Sequence, residues 1–141
     1  MFRAVLDTSV VVAALRSRRG ASNRLVELVA LRRLRPLLTT ALFLEYEDVL
    51  QRPEHRLVTG MTVDDVNGFL GAFASAAEAV EVNFRWRPKL RDPNDELVLE
   101  AAVNGRAQAL ATHNVGDFKD VERLFKLRVL LPRDLLKELE R

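Results

Sequence analysis

The length, composition and charge of the chain exclude several classes of protein. Its 141 residues, 48% hydrophobic and 30% charged, are typical of a globular protein, and we expect one domain over residues 1–141. The chain has no cysteine, which excludes disulfides and thiolate zinc sites and favours a cytoplasmic protein. No apolar segment is long enough to span a bilayer, and Asp7 interrupts the first apolar run, which is wrong for a signal peptide. We therefore expect no membrane partner.

The formal net charge of +2 is distributed unevenly along the chain. Residues 1–35 carry eight arginines against two acids, residues 36–82 carry two arginines against eight acids, and residues 83–91 are basic with no acid. Two interpretations stay open. Charge runs are usually solvated helix faces, but this distribution also suits basic margins around an acidic centre.

Short apolar strands alternate with helical patterns from one end of the chain to the other. We expect strands at 3–7, 37–40, 79–82, 107–112 and 127–131. Helical patterns follow Thr8–Ser9 and cover 21–33, 41–52, the segment after Thr62, 92–104, 120–125 and the segment after Pro132. Pro36 and Pro53 are expected to end helices, Gly105 to cap one, and 113–118 to form a turn. The alternation predicts an α/β fold whose mostly parallel sheet is covered on both faces.

Acidic residues stand where predicted strands end or helices begin. They are Asp7 after the first strand, Glu45 one turn past the second, Asp92 and Asp95 in DPNDE, and Asp117 with Asn114 after the strand at 107–112. In a parallel sheet these loops open at one edge, where ligands bind. Capping competes as an explanation for each residue, most strongly for Asp92 before Pro93, while Glu45 could simply face solvent. Capping does not explain why all four places carry an acid.

Four carboxylates at one edge require a cation. Two of them about 5 Å apart repel by roughly 3 kcal/mol at an effective dielectric constant of about 20. Oxygen ligands without sulfur select Mg²⁺ or Mn²⁺, and one or two such ions suit hydrolysis of a phosphodiester. The rival enzyme is a phosphatase with Asp7 as covalent nucleophile, which expects a second Asp where this chain has Ser9.

Basic and aromatic residues are candidates for binding a polyanion. We expect RNA contacts from Arg16, Arg18, Arg19, Arg85 and Arg87. Phe84 and Trp86 offer stacking faces, although FRWRPKL also has the alternation of an edge strand with buried aromatics. His113 lies beside the predicted site, but a histidine in a turn is more often incidental.

Four segments occur in the order found in the PIN-domain family: VLDTSVVVAAL, LFLEYEDVL, RDPNDELVLEAA and ALATHNVGDF. The chain resembles the VapC-like toxin ribonucleases of bacterial toxin–antitoxin pairs over nearly its whole length. The resemblance implies a three-layer α/β/α sandwich around a mostly parallel sheet of four or five strands. It also implies cleavage of single-stranded RNA with Mg²⁺ or Mn²⁺, a homodimer, and inhibition by a cognate antitoxin protein.

The resemblance assigns roles to individual residues. Asp7, Glu45, Asp95 and Asp117 match the catalytic acids, with Asp7, Asp95 and Asp117 as metal ligands and Glu45 as the residue that binds the ion through water or orients the attacking water. The supporting positions are Thr8, Ser9, Asp92, Thr112 and Asn114. Asn114 stands where many relatives have Asp, so the number of ions, one or two, stays open. The alternative function is a degenerate PIN fold that binds RNA or protein without cleaving.

Overall fold

The fold is built on a parallel β-sheet. The structure is a computed structural model that describes residues 1–84 and 90–141. Within these ranges the strands are β1 (Phe2–Leu6), β2 (Leu34–Leu38), β3 (Glu78–Ala79), β4 (Ala109–Ala111) and β5 (Arg128–Leu130). They pair in the order β3-β2-β1-β4-β5, and every pairing is parallel. The predictions for Arg85, Trp86 and Arg87 concern residues outside the described ranges.

Helices connect the strands and cover the sheet. They are α1 (Thr8–Arg16), α2 (Ala21–Ala30), α3 (Thr40–Leu50), α4 (Pro53–Thr59), α5 (Val63–Ala76), α6 (Pro93–Asn104), α7 (Lys119–Phe125) and α8 (Pro132–Leu139), with a 3₁₀ helix at Val115–Phe118. The predicted α/β/α sandwich is confirmed. None of these helices in the described part of the chain is long and apolar enough to cross a membrane.

The central strands are apolar on both faces because helices cover both sides of the sheet. In β1, Ala4, Val5 and Leu6 are fully buried, and so are all three residues of β4. Tyr46 and Phe118 are the largest fully buried side chains around them. The apolar run therefore ends at the carboxyl edge of the sheet, where the first polar residue after each strand is held by a rigid core.

Two strand-level predictions are wrong. Pro36 does not end a helix: α2 ends at Ala30, and Pro36 lies inside β2 opposite Ala4. Because β3 pairs only with Leu37 and Leu38, β2 is locally an edge strand at Pro36, where a missing N–H is tolerated. The third strand lies at Glu78–Ala79 instead of 79–82, and the backbone leaves the ladder after Val80 N donates to Leu38 O.

Gly105 caps α6 as expected, but a glycine is required there because a larger side chain would not fit, not because of its backbone angles. Its φ of −85° is open to any residue. A Cβ at this position would lie 2.8 Å from the carbonyl oxygen of Ala101 and 2.8 Å from Leu37 Cδ1. Gly105 therefore permits α6 to approach β2 closely.

We expect Gly105→Ala to lower the free energy of unfolding by about 1–3 kcal/mol, because the added methyl group overpacks this contact. The matched control is Gly71→Ala on the exposed side of α5, where a Cβ meets nothing within 4 Å. The control should gain about 0.5–1 kcal/mol, the usual difference between Ala and Gly inside a helix. Urea unfolding followed by circular dichroism measures both, and a Gly105→Ala variant as stable as wild type would contradict the packing argument.

Candidate active site

The ends of β1 and β4 hold two polar residues, Asp7 and Thr112, side by side. Asp7 N donates to Ala111 O at 2.9 Å, and Thr112 N donates to Leu130 O at 2.9 Å, so each residue extends its strand's ladder by one position. Both are buried, Asp7 being 4% exposed and Thr112 0%. The sheet itself therefore fixes the backbone beneath both side chains.

The carboxylate of Asp7 is held by hydroxyl groups. Its Oδ2 accepts from Thr112 Oγ1 at 2.6 Å and from Ser9 Oγ at 2.9 Å. Asp7 stands at the N-cap position of α1, yet its side chain makes no capping hydrogen bond. Helix capping therefore does not explain the position of the Asp7 carboxylate. Hydrogen bonds from two hydroxyls instead compensate a charged group that is almost out of water.

Thr112 also orders the loop after β4. Its Oγ1 accepts from Asn114 N at 3.0 Å while it donates to Asp7. His113 N points at Ser9 Oγ at 3.4 Å. Thr112 and Ser9, two of the predicted supporting hydroxyls, thus contact Asp7 directly, whereas Thr8 only opens α1 and Asn114 contributes its backbone N–H.

Tyr46 ties α3 to the same strand end. The ring is fully buried, and its hydroxyl donates to the carbonyl oxygen of Leu6, the residue before Asp7, at 2.5 Å. Burial, and to a smaller extent the charge of Asp7, raise the pKa of Tyr46 well above its usual range, so the phenol is a neutral donor. This bond holds Glu45, the neighbour of Tyr46 along α3, beside the end of β1.

The predicted acids influence one another electrostatically. Burial, followed by the charges of Asp7, Asp92 and Asp117, raises the pKa of Asp95 to about 6. Burial also raises the pKa of Glu45, with contributions from the charges of Asp48, Asp92 and Asp7 and opposition from Arg52. Interactions of this kind require proximity. We call Asp7, Glu45, Asp92, Asp95 and Asp117 the acidic cluster.

Part of the acidic cluster lines an open cleft. The cleft measures about 390 Å³, and its walls include Asp92, Asp95 and Asp117 together with Arg91 and Asp120. Asp120 was not predicted as a site residue. Its signal in the sequence was its position one helical turn after Asp117, which brings both to one side of a helix start.

Asp92 has a structural role as well. Its side chain accepts from Asn94 N at 2.9 Å, so it caps α6, and Pro93 occupies the first turn. The cap fixes the first turn of α6, and with it Asp95, which follows two residues after Pro93. Capping and cluster formation are therefore compatible at this residue.

Arg16, Arg18, Arg19 and Phe84, the basic and aromatic candidates that lie in the described ranges, are away from the acidic cluster. Arg16 ends α1, and Arg18 and Arg19 follow it; all three are exposed. The nine residues of α1 rise by about 13 Å, which separates these arginines from Asp7. Phe84 lies against Asn104 at the far end of α6, about 18 Å from Asp92 by the rise of that helix.

The cluster suits a hard divalent cation in charge and in donor type. Its ligand atoms are oxygens, and the charges of its members add to the effect of burial in raising the pKa of Asp95. In residues 1–84 and 90–141, however, no three His, Asp or Glu side chains are arranged to hold one ion. The acids are gathered, but they do not converge on a single point.

We expect Asp95→Asn to stabilise the metal-free protein at pH 7 by about 1 kcal/mol, after allowance for solvent screening. The pKa of Asp95 in the folded protein, about 6, lies above the ordinary 3.8, so the folded state binds more protons between these values. Stability therefore falls as pH rises through this window, and the charged form destabilises the fold above it. Thermal unfolding in EDTA at pH 7 and pH 4 measures the effect, which should vanish at pH 4. A loss of stability of the Asp95→Asn variant at pH 7 would instead show that the Asp95 charge stabilises the start of α6.

A second prediction concerns the hydroxyl of Thr112. Thr112→Val keeps the side-chain shape and removes the donor to Asp7, so it should cost about 1.5–3 kcal/mol of unfolding free energy at pH 7. Thr112→Ser keeps the hydroxyl and loses one methyl group, so it should cost only about 1 kcal/mol. Urea unfolding ranks the two variants. A Val variant at least as stable as the Ser variant would show that the hydroxyl does not support Asp7.

Comparison with known proteins agrees with this geometry. A family model described as "PIN domain" matches residues 3–116, most of the chain, and the match includes Asp7, Glu45, Asp92 and Asp95. No curated protein and no solved structure matches the chain. PIN domains are generally nucleases, and an acidic cluster at the carboxyl edge of a parallel sheet is a site suited to that chemistry. The chain belongs to the PIN-domain family.

Proposed function

We propose that the protein is a metal-dependent endoribonuclease that cleaves single-stranded RNA. It uses one or two ions of Mg²⁺ or Mn²⁺. One observation carries the proposal. Acids from separate parts of the chain gather at one edge of the sheet: Asp92, Asp95 and Asp117 line one cleft, and the charges of Asp7, Asp92 and Asp117 add to the effect of burial, which raises the pKa of Asp95 to about 6. A capping role for each acid does not require such proximity, whereas binding of a cation does.

In this proposal Asp7, Asp95 and Asp117 hold the ion. Asp7 is rigid because the sheet and two hydroxyls fix it, and Asp95 is fixed by the capped start of α6. Asp117 is exposed on the 3₁₀ helix and is free to turn toward them. A bound ion would neutralise part of the phosphodiester charge and would promote the ionisation of water.

Glu45 orients the attacking water and accepts its proton. The raised pKa of Glu45, due first to burial, makes it a stronger base than an exposed glutamate. Its backbone is anchored next to Asp7 through the hydrogen bond from Tyr46 to Leu6. Arg91, on the wall of the cleft, attracts the phosphate that the carboxylates would otherwise repel.

The biological role follows from the sequence resemblance. Four motifs similar to those of VapC-like ribonucleases support a cytoplasmic toxin of a toxin–antitoxin pair, a single domain over residues 1–141 that forms a homodimer and binds an antitoxin protein. Arg85 and Arg87 are assigned to RNA binding because they lie in a basic segment, 83–91, that contains no acid. A phosphatase is disfavoured because Ser9 stands where it needs a second Asp, and Ser9 donates to Asp7.

The second candidate is a PIN-fold module that binds RNA or protein without cleaving. It is favoured by the observation that no three acidic or histidine side chains in the described ranges are arranged around one ion. The two candidates differ in turnover, which can be measured directly.

We expect a fluorescently labelled single-stranded RNA to be cleaved with Mn²⁺ or Mg²⁺, and cleavage to stop in EDTA. Asp7→Asn should reduce the rate by on the order of a hundredfold or more, because it removes the most rigid ligand. The matched control is Asp64→Asn, an exposed carboxylate on α5 whose charge does not contribute to the pKa of Asp95 or Glu45. Activity without metal, or full activity of Asp7→Asn, would contradict the proposal. Tight RNA binding without turnover in either metal would assign the protein to the second candidate.

A further inference from the structure

A pocket of about 440 Å³ lies beside the acidic cluster at the same edge of the sheet. It forms where the turn between α1 and α2, the second residue after β4 and the start of α8 meet. Apolar walls come from Ala13, Leu131 and Pro132, and polar groups come from Ser17, Ser22 and His113. Its volume and mixed lining are those of sites for small organic groups.

Ser22 and His113 form the polar wall. Ser22 is only 4% exposed, and its Oγ lies 3.1 Å from His113 Nε2, although the two residues are 91 positions apart. The backbone N of His113 points at Ser9 Oγ, which in turn donates to Asp7. A continuous series of contacts therefore links the pocket to the acidic cluster, while the exposed imidazole of His113 remains accessible to a ligand.

The charge around the pocket is positive. Arg133 contributes to its lining, and the exposed Arg16, Arg18 and Arg19 flank the lining residues Ser17 and Gly20. These three arginines form no ion pair with any residue in the described ranges, and Arg133 has only a long, exposed contact of 4.0 Å with Asp134. The lining includes no acid, and α2 and α8 both begin here, which adds partial positive charge. An anionic ligand is favoured.

We propose that this pocket binds one nucleotide of the RNA strand next to the cleaved phosphate, with the base against His113 and the phosphate toward the arginines. The proposal rests on the proposed RNA-cleaving function, since the cluster and the pocket would then hold neighbouring nucleotides of one strand. A base presents an apolar face and polar edges, which match an apolar lining of Leu131 and Pro132 and a polar lining of Ser22 and His113. His113 is then a residue that determines which base is accepted.

Direct binding is tested by proton NMR of the histidine rings. The chain has two histidines, so His55 serves as an internal control. Each ribonucleoside 5′-monophosphate is titrated at pH 8 in EDTA, where the metal-free carboxylates repel the probe and leave the pocket as the binding site. We expect saturable shifts of the His113 signals with at least one nucleotide and none of the His55 signals.

A matched pair of variants tests the role of the arginines. Arg133→Gln should weaken nucleotide binding about tenfold. Arg33→Gln, which changes an exposed arginine before the amino end of β2, should not. The absence of any His113 shift, or equal affinities in both variants, would overturn the proposal.

Cleavage specificity supplies a second readout. On a mixture of RNA sequences, His113→Ala should change the relative rates at different bases by about tenfold while Mn²⁺ affinity stays that of wild type. Unchanged base preferences together with unshifted His113 signals would overturn the pocket and leave the nuclease intact. Nucleotide-dependent His113 shifts in a protein that cleaves no RNA would support the pocket and overturn the proposed function.

Discussion

A carboxylate held almost out of water is the constraint on which the rest of the site depends. Burial of an uncompensated charge costs several kcal/mol, so Asp7 is tolerated only with donors in place. Those donors come from two elements, Ser9 on α1 and Thr112 after β4. The charge is therefore stable only when β1 and β4 are neighbours with aligned carboxyl ends, as the parallel sheet has them. Every further carboxylate then approaches a fixed negative charge, which adds to the effect of burial in raising the pKa of Asp95.

Parallel topology explains why distant acids meet at this edge. A helix between two parallel strands must return the chain from the carboxyl edge to the amino edge, so each such helix begins near the carboxyl edge. α6 precedes β4, and its capped start therefore brings Asp92 and Asp95 to the end of β1. The same rule places Asn104 and Phe84 at the other end of α6, away from the cleft. α3 follows β2 in the same sense, and the bond from Tyr46 to Leu6 fixes the middle of this helix against the end of β1. Strand order thus determines which acids interact with one another, and it keeps Phe84 away from them.

The sequence was sufficient where a local pattern determines the outcome. Acids directly after buried strands, and Asp92 before Pro93, pointed to the acidic cluster because strand ends in parallel sheets share one edge. The sequence was insufficient where contacts between distant parts of the chain determine the structure. From sequence alone Pro36 resembles a helix terminator, but it lies inside β2, where it pairs with β1 and has no β3 partner on its other side. Ser22 and His113 lie 91 positions apart, so no spacing could reveal their contact or the pocket behind it. Arg16, Arg18 and Arg19 were expected to bind RNA from a basic margin around the acids, and the length of α1 places them beside that pocket.

The central claim is that the acidic cluster is incomplete without a cation, and proton release on metal binding tests it most directly. At pH 6 Asp95, with a pKa of about 6, carries a proton in about half of the molecules, and a bound ion must displace it. Isothermal titration calorimetry of Mn²⁺ in buffers of different ionisation enthalpy should therefore give release of about half a proton per protein at pH 6 and almost none at pH 8. Asp95→Asn should abolish the release at pH 6. The absence of Mn²⁺ binding, or binding without this change in proton release, would contradict the account.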